Sequence, residues 1–287
     1  FVVVRRPTGH SSSFRNANAE GKSLGVQEVP TDLHEQVLTV AKDLWSADDI
    51  PALPINGLSV CEGEAKLLPG SSFPDRADMF RQQAVQGCPA AQHSYGLLLW
   101  SGFGGVTRDA DASAQWHAAA AAQNHLDGMA VLGGCLRTGT GMGIKKSNKA
   151  NSELGVRLID YCASQHNPTG VNKKAALLVE ANSDERGAAD LYQACADEDK
   201  INALLLFNLG WCLVNGEGVD RKDVTRGEKL WRDAAAMAPD EGSEEAAWFL
   251  YEQYKRDDPQ EADRWLQLAA DLGYEEAIEI TEQGTLL

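Results

Sequence analysis

The sequence predicts an all-α chain in which a helix–turn–helix unit recurs about every 38 residues, and three observations predict it. Trp116, Trp231 and Trp265 are followed four and five positions later by alanines, and aligning the chain on them brings in Phe80, Leu154 and Tyr192, so that the six large residues recur at intervals of 36, 38, 38, 39 and 34. Half a period away, Leu132-Gly133-Gly134-Cys135 matches Leu209-Gly210-Trp211-Cys212, and both run into glycine turns. Finally, 43% of the 287 residues are apolar, enough for a core, yet no window holds the roughly 18 consecutive apolar residues of a membrane helix.

Residues 1–58 fall outside the period. Phe1–Gly25 is polar, with Arg5, Arg6, Arg15 and Lys22 against the single acid Glu20. It has too little apolar surface to order itself and is expected to be pinned by a partner chain, the convex face of its own repeats or lattice contacts being the alternatives. Its composition matches either a flexible arm or the trailing part of an organellar targeting sequence, and the chain starts at Phe1 rather than Met. A soluble protein of a eukaryotic organelle (chloroplast or mitochondrion), peripheral to a complex, is the expectation that follows. A helix is predicted over about 32–46, capped by Thr31 or Asp32, with Leu33, Val37, Val40, Ala41 and Leu44 on one face. Pro51 and Pro54 mark a connector. The boundaries are therefore 1–58 for an arm with one helix and 59–287 for the repeats.

Within the repeats, Trp116, Trp231 and Trp265 precede the pairs Ala120-Ala121, Ala235-Ala236 and Ala269-Ala270, which puts ring and alanines on one helical face. Glycine inside a helix costs up to about 1 kcal/mol. Gly133 and Gly210 are therefore expected where helices touch, with a neighbouring aromatic ring in the vacated space. The turn glycines end the first helix of each pair, and Asp109 and Ser147 are placed to cap second helices. The stretch RTGTGMGIKKS, residues 137–147, imitates a phosphate-binding loop. It follows a helix rather than a strand and misses the GxxxxGK[ST] spacing by one position, so it is predicted to be a lengthened inter-helix turn.

A pattern of L-G, then G-x-G-V, then A-x-x-W-x-x-x-A-A-x-x-G resembles the Sel-one-like repeat family, relatives of tetratricopeptide repeats. The matches are Leu209-Gly210 through Ala236 and Ala262 through Ala277, and the resemblance covers roughly residues 60–280. It fades at the centre, where Leu154 replaces the aromatic and the L-G and turn signatures are missing over 165–190. The resemblance implies an α/α solenoid of about five repeats, a concave groove lined mainly by first helices, and an adaptor role in complexes that are often membrane-associated. A curved, extended surface without a deep pocket also suits protein recognition better than catalysis.

Net charge is −16, which excludes a general affinity for nucleic acid or anionic membrane. Residues 1–179 carry 16 basic and 16 acidic side chains, whereas 180–287 carry 10 and 26, so the whole excess lies in the last third. No HExxH, GxSxG, CxxC or zinc-ligand spacing occurs, and the six histidines lie beside no recognisable nucleophile. No catalytic residue, metal or cofactor is expected. Cys61, Cys88, Cys135, Cys162, Cys195 and Cys212 read as packing thiols, with Cys88 equivalent to Cys162 and Cys135 to Cys212. The expected core is Phe80, Trp116, Gly133, Leu154, Tyr192, Gly210, Trp231 and Trp265. Aromatics and arginines dominate interface hot spots, so Trp100, Trp211 and Trp248, together with Arg137, are the candidate contacts, extra packing between repeats being the other reading. The expected function is a non-catalytic scaffold binding protein partners through the groove and the arm. Free peptide or glycan capture, or a repeat-based hydrolase, are the alternatives.

Overall fold

The computed structural model describes residues 28–45, 73–102, 105–141, 148–237 and 242–284. The arm before residue 28, the connector over 46–72, Cys61 and Ser147 lie outside them. Thirteen helices and no strand occur among the described residues. The chain divides into two compact units, one ending at Gly170 and the other beginning at Val171.

The first unit contains α1 (Thr31–Leu44), α2 (Phe73–Val85), α3 (Pro89–Ser101), α4 (Ala110–Ala122), α5 (Leu126–Thr138) and α6 (Lys149–Ser164). Helix α7 (Pro168–Asn182) begins at its end. The second unit holds α8 (Glu185–Asp197), α9 (Ala203–Asn215), α10 (Val224–Ala236), α11 (Ser243–Tyr254), α12 (Pro259–Asp271) and α13 (Glu275–Gly284). Consecutive helices pack as antiparallel hairpins, α3 on α4, α5 on α6, α9 on α10 and α11 on α12.

Boundary chemistry explains where the helices start and stop. Asp109, Asn148, Asp184, Asp223 and Asp258 each accept a hydrogen bond from a backbone N–H in the first turn of α4, α6, α8, α10 and α12. The cap of α6 is thus Asn148, one residue after the expected Ser147. Helices α3, α5 and α9 end at Gly102, Gly139 and Gly216, with φ of 75°, 76° and 76°, a left-handed turn that glycine adopts without a Cβ clash. RTGTGMGIKKS accordingly begins on α5 and enters this turn at Gly139.

Helix α1 forms where expected, but Pro30 occupies its N-cap and neither Thr31 nor Asp32 caps it. Asp32 instead pairs with Arg157 of α6. Leu33, Val37 and Ala41 are buried in one core with Ala118 of α4, Leu132 of α5 and Leu158 of α6. The indole N–H of Trp45 donates to the Gln115 carbonyl at 2.9 Å, and the Gln115 amide donates back to the Leu44 carbonyl at 2.9 Å.

The repeat register differs from the expected one. Helices α4, α8, α10 and α12 are each 13 residues long, and their eighth positions hold His117, Tyr192, Trp231 and Leu266. Trp116 and Trp265 occupy the seventh position, one residue off Trp231. The contacts agree. A Cβ on Gly210 would lie 2.6 Å from the Trp231 ring, one on Gly96 would lie 2.9 Å from the His117 ring, and one on Gly133 would meet Ile159 at 3.0 Å. Five consecutive alanines at 118–122 match the alanine pair in either register, which is why the indole misaligns the repeat.

Two core expectations change with the register. Trp265 is only half-buried, its indole N–H donating to the Glu261 carboxylate at 3.0 Å, while Leu266 beside it faces the core. Trp116 is buried because Trp45 stands edge-on to it at 5.0 Å and Tyr95 at 5.6 Å. Leu154 is buried, but Ile159 holds the place it was assigned. Gly133 has no ring against it. It meets the carbonyl of Gly155, so two helix backbones touch. Phe80, Tyr192, Gly210 and Trp231 are buried.

Candidate functional site

Trp100 lies in the last turn of α3, half-buried, with the Arg108 guanidinium 5.7 Å from its ring centroid. Arg137, also half-buried, lies near the end of α5, where its backbone approaches Gly155 of α6. Both belong to the first unit. In the second unit, Trp211 donates to Glu217 at 3.1 Å and stands edge-on to Phe249 at 5.0 Å, so much of its ring packs α9 against α11. Trp248 on α11 stacks on Tyr274 at 4.8 Å and lies beside Tyr251 at 5.2 Å. Of the four candidates, Trp100 and Trp248 are fixed on one side and reach solvent on the other. Trp211 is half-buried as they are, with part of its ring held against α11.

The first unit also gathers polar groups that no sequence motif announces. His93 Nδ1 and His117 Nδ1 lie 3.3 Å apart, and the His93 and His125 ring centroids are 5.4 Å apart. Asp127 accepts from Asn167 at 3.0 Å and from Thr169 at 2.6 Å. Burial would raise the Asp127 carboxyl, but His93, His125 and these two hydrogen bonds outweigh it and hold the group below the usual carboxylate range. Burial pushes the His125 imidazole down, against the opposing pull of Asp127. His125 Nδ1 accepts the Gly128 N–H at 3.2 Å and caps α5, a role that a protonated nitrogen cannot fill. The only sequence signal was three histidines spaced to meet across two hairpins, which the misplaced register hid.

The cluster has a predictable pH dependence. His125 has a folded pKa below its unfolded value, near 6.5. On acidification the unfolded chain therefore takes the proton first, and stability falls as pH drops through that value. Asp127, also depressed, adds stability above its unfolded pKa that is lost at lower pH still. Urea midpoints for the first unit should therefore fall between pH 7.5 and 5. A His125→Asn chain, which keeps a capping acceptor without a proton to gain, should show a flatter profile. An unchanged profile would remove His125 from this role.

The remaining chemistry points away from nucleophilic catalysis by thiols. Cys135, Cys162, Cys195 and Cys212 are free and buried. Burial raises the Cys162 thiol, and it pushes Cys195 up to about 12 and Cys212 to about 11. At neutral pH such thiols stay protonated. Cys88 is disulfide-bonded, contrary to the expectation of a packing thiol. It precedes α3, whereas Cys162 lies within α6, so the two are not equivalent. Cys135 and Cys212 do share the tenth position of α5 and α9. Among the described residues no group of three or more His, Cys, Asp or Glu is arranged to hold a metal ion, and no helix is long and apolar enough to cross a membrane.

A family model for the Sel1 repeat matches residues 89–125, 203–238 and 245–274. These segments coincide with α3–α4, α9–α10 and α11–α12. No curated protein matches the sequence. Among solved structures, the chain is similar to a Sel1 repeat protein from Oxalobacter formigenes, at 22% identity and a TM-score of 0.48, over 71% of this chain and 81% of that one. It is also similar to c5321, described as a protective antigen of uropathogenic Escherichia coli with an SLR fold, at 17% identity and a TM-score of 0.37, over 72% and 51%. Immunity protein Pa5087 from Pseudomonas aeruginosa aligns at 14% identity and a TM-score of 0.48, over 86% and 84%.

Proposed function

We propose, from the premise that the chain carries three Sel1 repeats, that it is a non-catalytic scaffold binding other proteins through the faces of its first helices. Sel1-repeat proteins generally mediate protein–protein interaction. The observation that carries the reading is the pair Trp100 and Trp248: large rings on α3 and α11, anchored on one side and half-exposed on the other. Such aromatics supply most of the binding energy at protein interfaces. Arg137 on α5 and Trp211 on α9 extend the same reading to the other first helices.

With about five repeats, the first helices would present a protein-binding face within each unit, and the basic arm before residue 28 would add a further contact. That arm supports the further reading of a subunit in a larger, organellar and membrane-associated assembly. The hydrolase alternative gains nothing from four buried thiols, of which burial holds Cys162, Cys195 and Cys212 protonated.

The test is affinity purification of the full chain beside Trp100→Ala and Trp248→Ala chains whose circular dichroism and melting match the wild type. A protein recovered in stoichiometric amount with the wild type, and reduced tenfold or more with either variant, supports the reading. Equal recovery with all three chains contradicts it.

A further inference from the structure

The second unit contains a cavity of about 620 Å³, within the size range of small-ligand sites. It opens between α8 and α10 beside the turn that joins α9 to α10. Leu209 and Leu213 of α9 line it. Trp211, two residues from each, projects about 180° away around the helix, so this cavity and the aromatic face are different sites.

The charges around it are unusual for their surroundings. Residues 180–287 carry 10 basic and 26 acidic side chains, yet four of those ten bases, Arg186, Arg221, Lys222 and Arg226, line this one cavity. Its three carboxylates are already engaged. Asp190 and Asp220 both pair with Arg186, and Asp223 caps α10 by accepting the Arg226 N–H at 3.0 Å. Among the described residues Arg221, Lys222 and Arg226 form no ion pair. The Arg226 guanidinium donates to Gln193 at 2.6 Å, which orients it without neutralising it.

The wall is built rather than draped. A Cβ on Gly218 would lie 2.0 Å from the Glu185 carbonyl, so the turn sits tight against the start of α8. The Lys222 stem lies over Gly216, where a Cβ would come within 2.7 Å of it. Both glycines have positive φ, 68° and 76°, which fixes the turn's shape.

The geometry points to a binding site for a carboxylate carried on an apolar body, the free C-terminal end of a protein chain being the partner that fits. Four cations against three carboxylates leave a net charge of about +1, which matches one carboxylate and not a phosphate dianion. Phosphate sites also draw on N–H groups at a helix N-terminus, and at α10 the Asp223 side chain already accepts there. Leu209, Leu213 and Ala189 line the cavity but are themselves buried, so half-buried Val219 is the apolar surface that a terminal side chain would cover. The acidic excess of residues 180–287 repels polyanions and leaves a short, singly charged end as the ligand.

Methyl-detected NMR titration of the full chain tests this, with N-acetyl-leucine, N-acetyl-leucinamide and inorganic phosphate as probes. Saturable shifts of the Leu209, Leu213 and Val219 methyls are expected with N-acetyl-leucine, with the amide and phosphate at least tenfold weaker. The Lys222→Gln/Arg226→Gln chain should bind the acid at least tenfold less well. Equal binding of acid and amide, tighter binding of phosphate, no saturable shift with the acid, or an unchanged affinity in the double variant would each overturn the assignment. The result does not depend on the Trp100 and Trp248 test, because no residue is shared.

Discussion

Replacing Trp231 with alanine is expected to cost about 3–5 kcal/mol of unfolding free energy, the upper range for core truncations. The ring is 2% exposed, and its N–H donates to the Phe207 carbonyl at 3.1 Å. Its edge fills the space above Gly210, and Phe207 and Phe249 lie 6.3 and 5.8 Å away. Truncation would therefore leave a cavity between α9, α10 and α11 and remove the second hydrogen bond to the Phe207 carbonyl, which keeps its partner within α9. Repeat arrays transmit such damage mainly to nearest neighbours. Hydrogen exchange should accordingly quicken in α9 to α11 more than in α1 to α6. Trp265→Ala, at the neighbouring register and half-exposed, should cost clearly less. Equal losses for the two would refute the register described above.

Gly155→Ala is the second large effect, and there two principles predict opposite signs. Helix propensity alone favours alanine by up to about 1 kcal/mol. Contact geometry opposes it, because the new Cβ would lie 2.5 Å from the Gly133 carbonyl oxygen and 2.9 Å from the Arg137 backbone nitrogen. Both neighbours are backbone, so no side chain can rotate away, and α5 must move from α6. Overpacking of this kind costs about 1–3 kcal/mol, so net destabilisation is expected in denaturant titration. A stabilised Gly155→Ala chain would mean that the α5–α6 contact is looser than described.

The glycines show how far the sequence could be read. Their presence inside helices announced close contacts, and Gly210 does meet a ring as expected. Gly133 meets a backbone instead, because the place that Trp231 fills in α10 belongs in α6 to Ile159, with Gly155 one turn earlier. Helices and turns were legible because the 38-residue period, the capping aspartates and the left-handed glycines are local signals. Register was not, since the alanine run at 118–122 satisfies two alignments equally. The docking of α1 on α4 and α6 was illegible for another reason: Trp45 meets Gln115, and Arg157 meets Asp32 and Gln36, only in three dimensions.

Candidate sites divide the same way. Trp100 and Trp248 could be selected because a first helix carried a large ring outside the repeat pattern. The histidine and Asp127 cluster and the cation-lined cavity draw on residues from separate helices, 24 to 42 positions apart. Each cationic residue of the cavity looks like ordinary surface charge along the chain. Only folding shows that the three carboxylates beside them are already occupied.

The central claim is that first-helix aromatics contact a protein partner, and hydroxyl-radical footprinting tests it most directly. Oxidation of individual tryptophans would be compared between the isolated 287-residue chain and the protein in extracts of its native source. Protection of Trp100 and Trp248 by several-fold in the native material, with the half-exposed Trp265 of α12 oxidised equally in both, is the predicted result. Equal oxidation of all three tryptophans in both samples would contradict the claim.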